Sequence, residues 1–368
     1  MEIGLIGLPK SGKTTVFNAL TRGKAETSPY ASANLAPNIG VVKVPDPRMD
    51  VLAKMFKPDK FVPAEVKYVD IGVPLKAQEK KKGEGLSGEM LTHISRADTL
   101  FHVVRAFPDE SIPHPRKSVD PARDIADMNL ELNFSDLSII ERRLERLESS
   151  MKGAKAAERE LHLQEKALLE RIKHQLESEV PLREQTLTAD EAKVIENYQF
   201  LTAKPLLIVV NIGEEQLPKA LEIEAELRPR FQRPRCELAA LCGKVEMELS
   251  QLGPAEAAEF REAMGVTGMG IQKIVQASYS LLGLISFFTV GPDEVRAWTI
   301  RRGTPAVKAA GKIHSDLEKG FIRAEVISYD DLIKCGTMVE AKKRGLLRLE
   351  GKTYVVQDGD IMEVLFNV

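Results

Sequence analysis

The sequence predicts an α/β chain with a mostly parallel sheet, an inserted α-helical coiled-coil hairpin, and a separate small α+β domain towards the C-terminus. Three observations predict it. Short apolar runs at residues 3–6, 39–44, 66–69, 100–104 and 206–210 have the length and β-branched content of buried strands. Between about residues 130 and 202, apolar side chains recur every three or four positions among Glu and Arg. Beyond about Leu284, short β-like pieces replace both patterns.

With 368 residues the chain has length for two or three domains and a real core. Its 52 Lys and Arg nearly balance 54 Asp and Glu, a formal net charge of −2. Overall charge therefore excludes a polycationic nucleic-acid binder, no DNA partner is expected, and any RNA contact must come from local patches. Cys236, Cys242 and Cys335 form no C-x-x-C pair and predict reduced thiols rather than a disulfide framework. The apolar start, residues 1–7, is too short and glycine-rich for a signal-peptide core, and no run reaches the length of a membrane span. These features predict a cytoplasmic protein with no membrane partner.

The first element, residues 3–6, reads as a buried strand, followed by a loop at 7–12 and a helix from Lys13. Leu137, Ile140, Leu144, Leu147 and Met151 form one helical stripe. Ala157, Leu161, Leu168, Ile172 and Leu176 form a second that stops near Pro181, so the two helices are expected to pair as a hairpin. Thr188-Ala189-Asp190-Glu191 has the spacing of a capping box and predicts a third helix. In the last segment, pieces at 287–289, 295–300, 323–327 and 362–366 read as strands, with a helix between Pro305 and Leu317. The expected division is a discontinuous domain at 1–130 and 203–282, the helical insertion at 131–202, and the last domain at 283–368.

Gly7-Leu8-Pro9-Lys10-Ser11-Gly12-Lys13-Thr14 fits G-x-x-x-x-G-K-[ST] between a strand and a helix, the context this phosphate-binding loop requires. Pro9 fixes the turn, and backbone N–H groups from Lys10, Ser11, Gly12 and onward to Thr15 complete the expected phosphate cradle. Lys13 is expected to reach β- and γ-phosphate oxygens, and the Thr14 hydroxyl to ligate Mg²⁺. Asp70 closes the run 66–69, where a second-strand aspartate would hold Mg²⁺ through water. After the run 206–210 come Asn211, Ile212, Gly213 and Glu214, which place a carboxamide and a carboxylate beside the expected base. Guanine-specific relatives of the translation GTPases show N-K-x-D there. With Ile212 for Lys and the longer Glu214 for Asp, guanine selectivity should be weak and both ATP/ADP and GTP/GDP are expected ligands.

Together with Pro37-Asn38-Ile39-Gly40-Val41-Val42, Lys82-Gly83-Glu84-Gly85-Leu86 and His102-Val103-Val104-Arg105, these residues resemble the YchF subfamily of Obg-related P-loop NTPases. Residues 294–300, 319–327 and 355–360 look like that family's TGS domain, a ubiquitin-like module. The resemblance runs nearly end to end and implies a G domain interrupted by a coiled-coil arm, hydrolysis of ATP in preference to or alongside GTP, and binding to the ribosome, both the large subunit and the 70S particle, with ribosomal RNA contact. It also implies a catalytic role for His114, a switch position at Asn34 that ligates Mg²⁺, with Ser32 as its fallback, and base contacts from Cys242 and Gly243. The chain departs from the family pattern where Asn34 replaces the switch threonine and where Asp70-Ile71-Gly72-Val73-Pro74 replaces D-I-A-G; Lys80, Lys81 and Lys82 enlarge the loop that follows. Two functions follow as expectations: a slow Mg²⁺-dependent nucleoside triphosphatase acting as a ribosome-associated switch, or a nucleotide-stabilised scaffold that hydrolyses little. Arg142, Arg143, Arg146 on the arm and Lys342, Lys343, Arg344 near the end are the local basic clusters.

Overall fold

The computed structural model describes residues 1–23, 37–70, 88–153, 155–264 and 270–367. Asn34, Ser32, the altered 71–74 stretch, the lysines at 80–82 and the 82–86 motif lie outside the described residues.

In chain order the strands are β1 (Glu2–Ile6), β2 (Asn38–Lys43), β3 (Lys60–Val62), β4 (Glu65–Asp70), β5 (Thr99–Arg105), β6 (Leu206–Asn211), β7 (Cys236–Leu241), β8 (Leu284–Val290), β9 (Glu294–Arg301), β10 (Phe321–Ser328), β11 (Arg348–Glu350) and β12 (Asp360–Phe366). The helices up to the end of the nucleotide-binding half are α1 (Lys13–Thr21), α2 (Pro47–Phe56), α3 (Gly88–Arg96), α4 (Pro121–Met151), α5 (Ala156–Glu177), α6 (Ala189–Glu196), α7 (Ala220–Phe231), α8 (Gly243–Gln251) and a helix at Pro254–Ala263. The chain forms two compact units, Met1–Gly40 with Lys67–Ile274, and Val41–Val66 with Val275–Val368.

The first sheet runs β2-β4-β1-β5-β6-β7. β1 pairs in parallel with β4 and β5, and β5, β6 and β7 continue in parallel. Every residue of β5 and β6 is buried, as expected of parallel strands covered on both faces. The run at 39–44 behaves differently: β2 stands at the sheet edge with Ile39 and Val41 exposed, so its apolar content marks a strand without marking a core. Register places Leu5 beside Asp70, Ile6 beside His102, and Arg105, Asn211 and Leu241 side by side. The last residues of five parallel strands therefore share one edge, where ligands of open α/β sheets bind.

α4 starts ten residues before the expected arm boundary because Asp120 caps it, accepting from Arg123 N at 3.0 Å, and Pro121 occupies its first position. Ile125, Met128 and Leu132 join the sheet core, while Ile140 and Leu147 turn to the arm seam against Leu168, Leu169, Ile172 and Leu176. One continuous helix thus belongs to both packing clusters. Antiparallel pairing is fixed by Glu141 with Lys173 at 2.9 Å and Glu148 with Lys166 at 2.8 Å. Leu161, counted in the expected seam, is 65% exposed. The capping box forms, Glu191 N donating to Thr188 Oγ1 and Thr188 N to Glu191 Oε2.

At the arm's root, Asp136 on α4 is fully buried and accepts from Leu201 N (2.9 Å), Thr202 N (2.8 Å) and Thr202 Oγ1 (2.6 Å). Burial pushes its carboxyl up to about 6 against the pull of these donors. Of the arm's basic cluster, Arg143 is engaged by Glu165 and Tyr198, and Arg142 donates to Ser138 O.

In the second unit the sheet runs β11-β10-β12-β8-β9-β3. Its central pair, β12 and β8, is parallel, while β8–β9, β10–β12 and β10–β11 are antiparallel. Ala306, Ala309 and Ala310 of the helix Ala306–Ile313 pack on Phe287, Ile300 and Val326. Strand β3, missed in the sequence, pairs in parallel with β9. α2 is tied to the same sheet by Arg48, which donates to Asp46 and Asp358 and lies 5.1 Å above the Phe288 ring. Lys342 lies 3.9 Å from Glu325 and Arg344 pairs with Glu340 at 2.9 Å, so this basic cluster is partly neutralised.

Candidate nucleotide site

The loop from Gly7 to Gly12 is shaped by two glycines. A Cβ at Gly7 would lie 2.4 Å from Val103 O, and Gly12 has φ +84° with a Cβ position only 2.1 Å from Asn211 Nδ2. No side chain caps α1 and no acidic residue stands in its first turn, in contrast to α2 with its Asp46 cap and Asp50. The positive end of α1 is thereby left for an anion from outside the chain. Gly12→Ala is expected to displace the Asn211 amide, lower thermal stability by roughly 2 kcal/mol and weaken ATP binding more than tenfold, as read by melting and calorimetry.

Lys13 opens α1 with its Nζ 3.8 Å from Asp70 Oδ1, and the Thr14 hydroxyl donates to Asp70 Oδ2 at 2.9 Å. Burial lowers the Lys13 proton affinity, and the Asp70 carboxylate opposes part of that shift. Asp70 is fully buried, and its Oδ1 and the Ser11 hydroxyl lack hydrogen-bond partners among the described residues. The structure brings Lys13, Thr14 and Asp70 together.

Asn211 sits at the end of β6, and its carboxamide works in both directions. Nδ2 donates to Ser11 O at 2.9 Å, and Oδ1 accepts from Gly243 N at 3.0 Å. It is a strut between the phosphate loop and the β7–α8 turn, where a Cβ at Gly243 would meet Val16 Cγ2 at 2.8 Å. The Ile212 side chain is 2% exposed within the sheet core, and its N–H donates to Leu241 O. Glu214 is half-buried at best and pairs with Lys244 Nζ at 2.6 Å. Cys242 is buried at the head of α8, and burial raises its thiol. Pro9 and Lys10 lie on the same loop, Lys10 at φ 64°, and Thr15 lies in the first turn of α1.

His114 is 8% exposed rather than solvated. Its Nδ1 accepts from Arg116 N at 3.1 Å and its Nε2 lies 2.9 Å from Asp124 Oδ2, fastening the loop to the first turn of α4. Three residues at this edge were given no role from the sequence. Phe107 packs beside Gly12 and Gly213, and the buried Arg105 beneath it donates to Phe107 O, Asp109 O and Ile112 O. Their position just beyond β5, at the carboxyl edge, was the available signal. Lys244, the partner of Glu214, is the third; it lies in the same 242–246 segment as Cys242 and Gly243.

A family model described as "50S ribosome-binding GTPase" matches residues 2–141, and one named YchF-GTPase_C, described as a protein of unknown function (DUF933), matches residues 284–367. The "Ribosome-binding ATPase YchF" of Bacillus subtilis is 41% identical over 370 residues, covering 100% of both chains. The chain belongs to the YchF family. The "Obg-like ATPase 1" of Caenorhabditis elegans is 38% identical, over 100% of this chain and 92% of its own. A solved structure of the Schizosaccharomyces pombe YchF GTPase superposes with TM-score 0.85 at 33% identity, covering 99% of this chain and 97% of that one. As in YchF relatives generally, the chain carries a P-loop α/β fold that binds a nucleotide substrate.

Proposed function

We propose that this chain is a ribosome-associated nucleoside triphosphatase of the cytoplasm that hydrolyses ATP, with GTP as a weaker substrate, and uses the bound nucleotide to govern its grip on the ribosome. The observation that carries the reading is the group formed by Lys13, Thr14 and the buried Asp70 at the head of an uncapped helix. Phosphate oxygens would take Lys13 from Asp70, and the loop's N–H groups would hold the remaining charge. The relatives' names, ribosome-binding ATPase among them, supply the partner and the reaction.

Mg²⁺ fits the donors present: Asp70 Oδ1 is a buried carboxylate oxygen without a hydrogen-bond donor, next to the Thr14 hydroxyl, a hard-oxygen set. When bound, Mg²⁺ would neutralise charge on the β- and γ-phosphates. Asn211 keeps the loop in register, and Phe107 narrows the space beside Gly213. His114 enters this reading through the loop it anchors; proton transfer by its ring would require release from Asp124. The β11-β10-β12-β8-β9 order with its parallel central pair supports a ubiquitin-like TGS domain at 283–368. Among the described residues no helix is long and apolar enough to cross a membrane.

ATP preference is supported by the Glu214–Lys244 pair, because guanine's two donors would have to compete with an ammonium for that carboxylate. Lys244→Ala is expected to improve GTP binding several-fold relative to ATP in calorimetric titrations, and an unchanged ratio would exclude Glu214 from base reading. Steady-state hydrolysis with and without 70S ribosomes tests the function as a whole. Stimulated turnover and nucleotide-dependent co-sedimentation are expected, whereas tight nucleotide binding with no turnover in either condition would leave the scaffold reading.

A further inference from the structure

At the opposite end of the first sheet, Cys236 begins β7 beside Leu206 at the start of β6. Next to it, between α4, the segment after α5 and the end of α7, lies a cavity of about 260 Å³. One wall is Arg183, which is 7% exposed. Its Nη1 makes only a long 3.4 Å contact with Thr202 O, and its Nε is buried without a partner. Glu184 and Asp136 attract this guanidinium from a distance, and neither forms an ion pair with it among the described residues. The Cys236 thiol does not balance the charge either, since burial pushes it up to about 11 and keeps it neutral. Facing the same space, Asn129 Oδ1 is buried and unpartnered. Arg230 and Arg233 stand exposed at the rim, against the carboxylates of Glu179 and Glu184.

A buried guanidinium with an orphaned N–H is costly, and three cations against two carboxylates leave the cavity short of negative charge. We propose that this cavity is a second anion site, distinct from the phosphate loop, which takes a small phosphate-bearing ligand through Arg183. The planar fork of Arg matches a phosphate edge with two parallel hydrogen bonds. The Asn129 oxygen accepts from a phosphate or ester hydroxyl. The volume leaves room for a phosphate with attached atoms. Arg183 N donates to Thr202 O, and Thr202 is held by Asp136, so the ligand would sit at the root of the arm.

The test is thermal unfolding of the full chain titrated with inorganic phosphate, against sodium chloride at matched ionic strength. Wild type, Lys13→Ala, Arg183→Gln and Arg183→Lys are compared. A saturable, phosphate-specific rise in Tm is expected that survives in Lys13→Ala, shifts its midpoint at least tenfold in Arg183→Gln and is partly kept in Arg183→Lys. If Arg183→Gln does not fold, Arg233→Gln at the rim replaces it, with an expected shift of about threefold. A response no larger than that of chloride overturns the proposal, as does one lost in Lys13→Ala and unchanged in the cavity variants. In those cases ordered water fills the cavity.

Discussion

Lys13→Ala is expected to weaken ATP and ADP binding by on the order of 100-fold, corresponding to about 3 kcal/mol for charge-assisted hydrogen bonds to phosphate oxygens. The effect should be large because Lys13 stands at the start of a helix with no side-chain cap, its ammonium beside Asp70 where the phosphates would lie. The same substitution removes the counter-ion of Asp70, a carboxylate that is fully buried, and lowers the stability of the unliganded protein as well. Calorimetric titration and thermal melting without nucleotide separate the two losses. Lys13→Arg sharpens the result, since it keeps the charge but not the shape of the ammonium, and should restore stability more than affinity. Wild-type ATP affinity in folded Lys13→Ala would refute the assignment of the phosphate loop.

The parts of this site that were legible in the sequence are those built from contiguous residues. The phosphate loop is one segment whose glycines, lysine and threonine each answer a local requirement, and Asp70 and Asn211 were legible as the residues that end apolar strands. Part of what Asn211 does was not legible: the carboxamide expected beside the base is also bonded to Ser11 O and Gly243 N, partners that are distant in sequence. Ile212 likewise follows the strand into the core. β7 went unread because Cys-Glu-Leu-Ala-Ala-Leu is rich in residues with weak strand preference, and only its place beside β6 makes it a strand. The hairpin seam was legible from its period. The start of α4 was not, because its first turns pack on the sheet and the change of partner leaves the helical period unbroken.

Asp136→Ala should produce the largest loss of stability outside the nucleotide site. The carboxylate takes three donors, Leu201 N, Thr202 N and the Thr202 hydroxyl, all buried where the chain returns from the arm to β6. Truncation strands these donors and leaves a small void, which together should cost about 3–5 kcal/mol in denaturant unfolding. Limited proteolysis should show the arm's return segment opening before the sheet, because α4 continues into the core and holds the outgoing chain, whereas the incoming one keeps only its bonds to the 182–183 turn among those at Thr202. Asp136→Asn keeps one acceptor oxygen and should lose less. The wild-type protein carries a related signature in its pH dependence. Because the folded carboxyl titrates near about 6 rather than at the ordinary value of 3.8, the folded state retains a proton that the unfolded chain has released between those values. This group's contribution to stability therefore falls as pH rises from about 4 to about 6 and is flat above. In Asp136→Asn that slope should be reduced, and an unchanged slope would place the proton on another group.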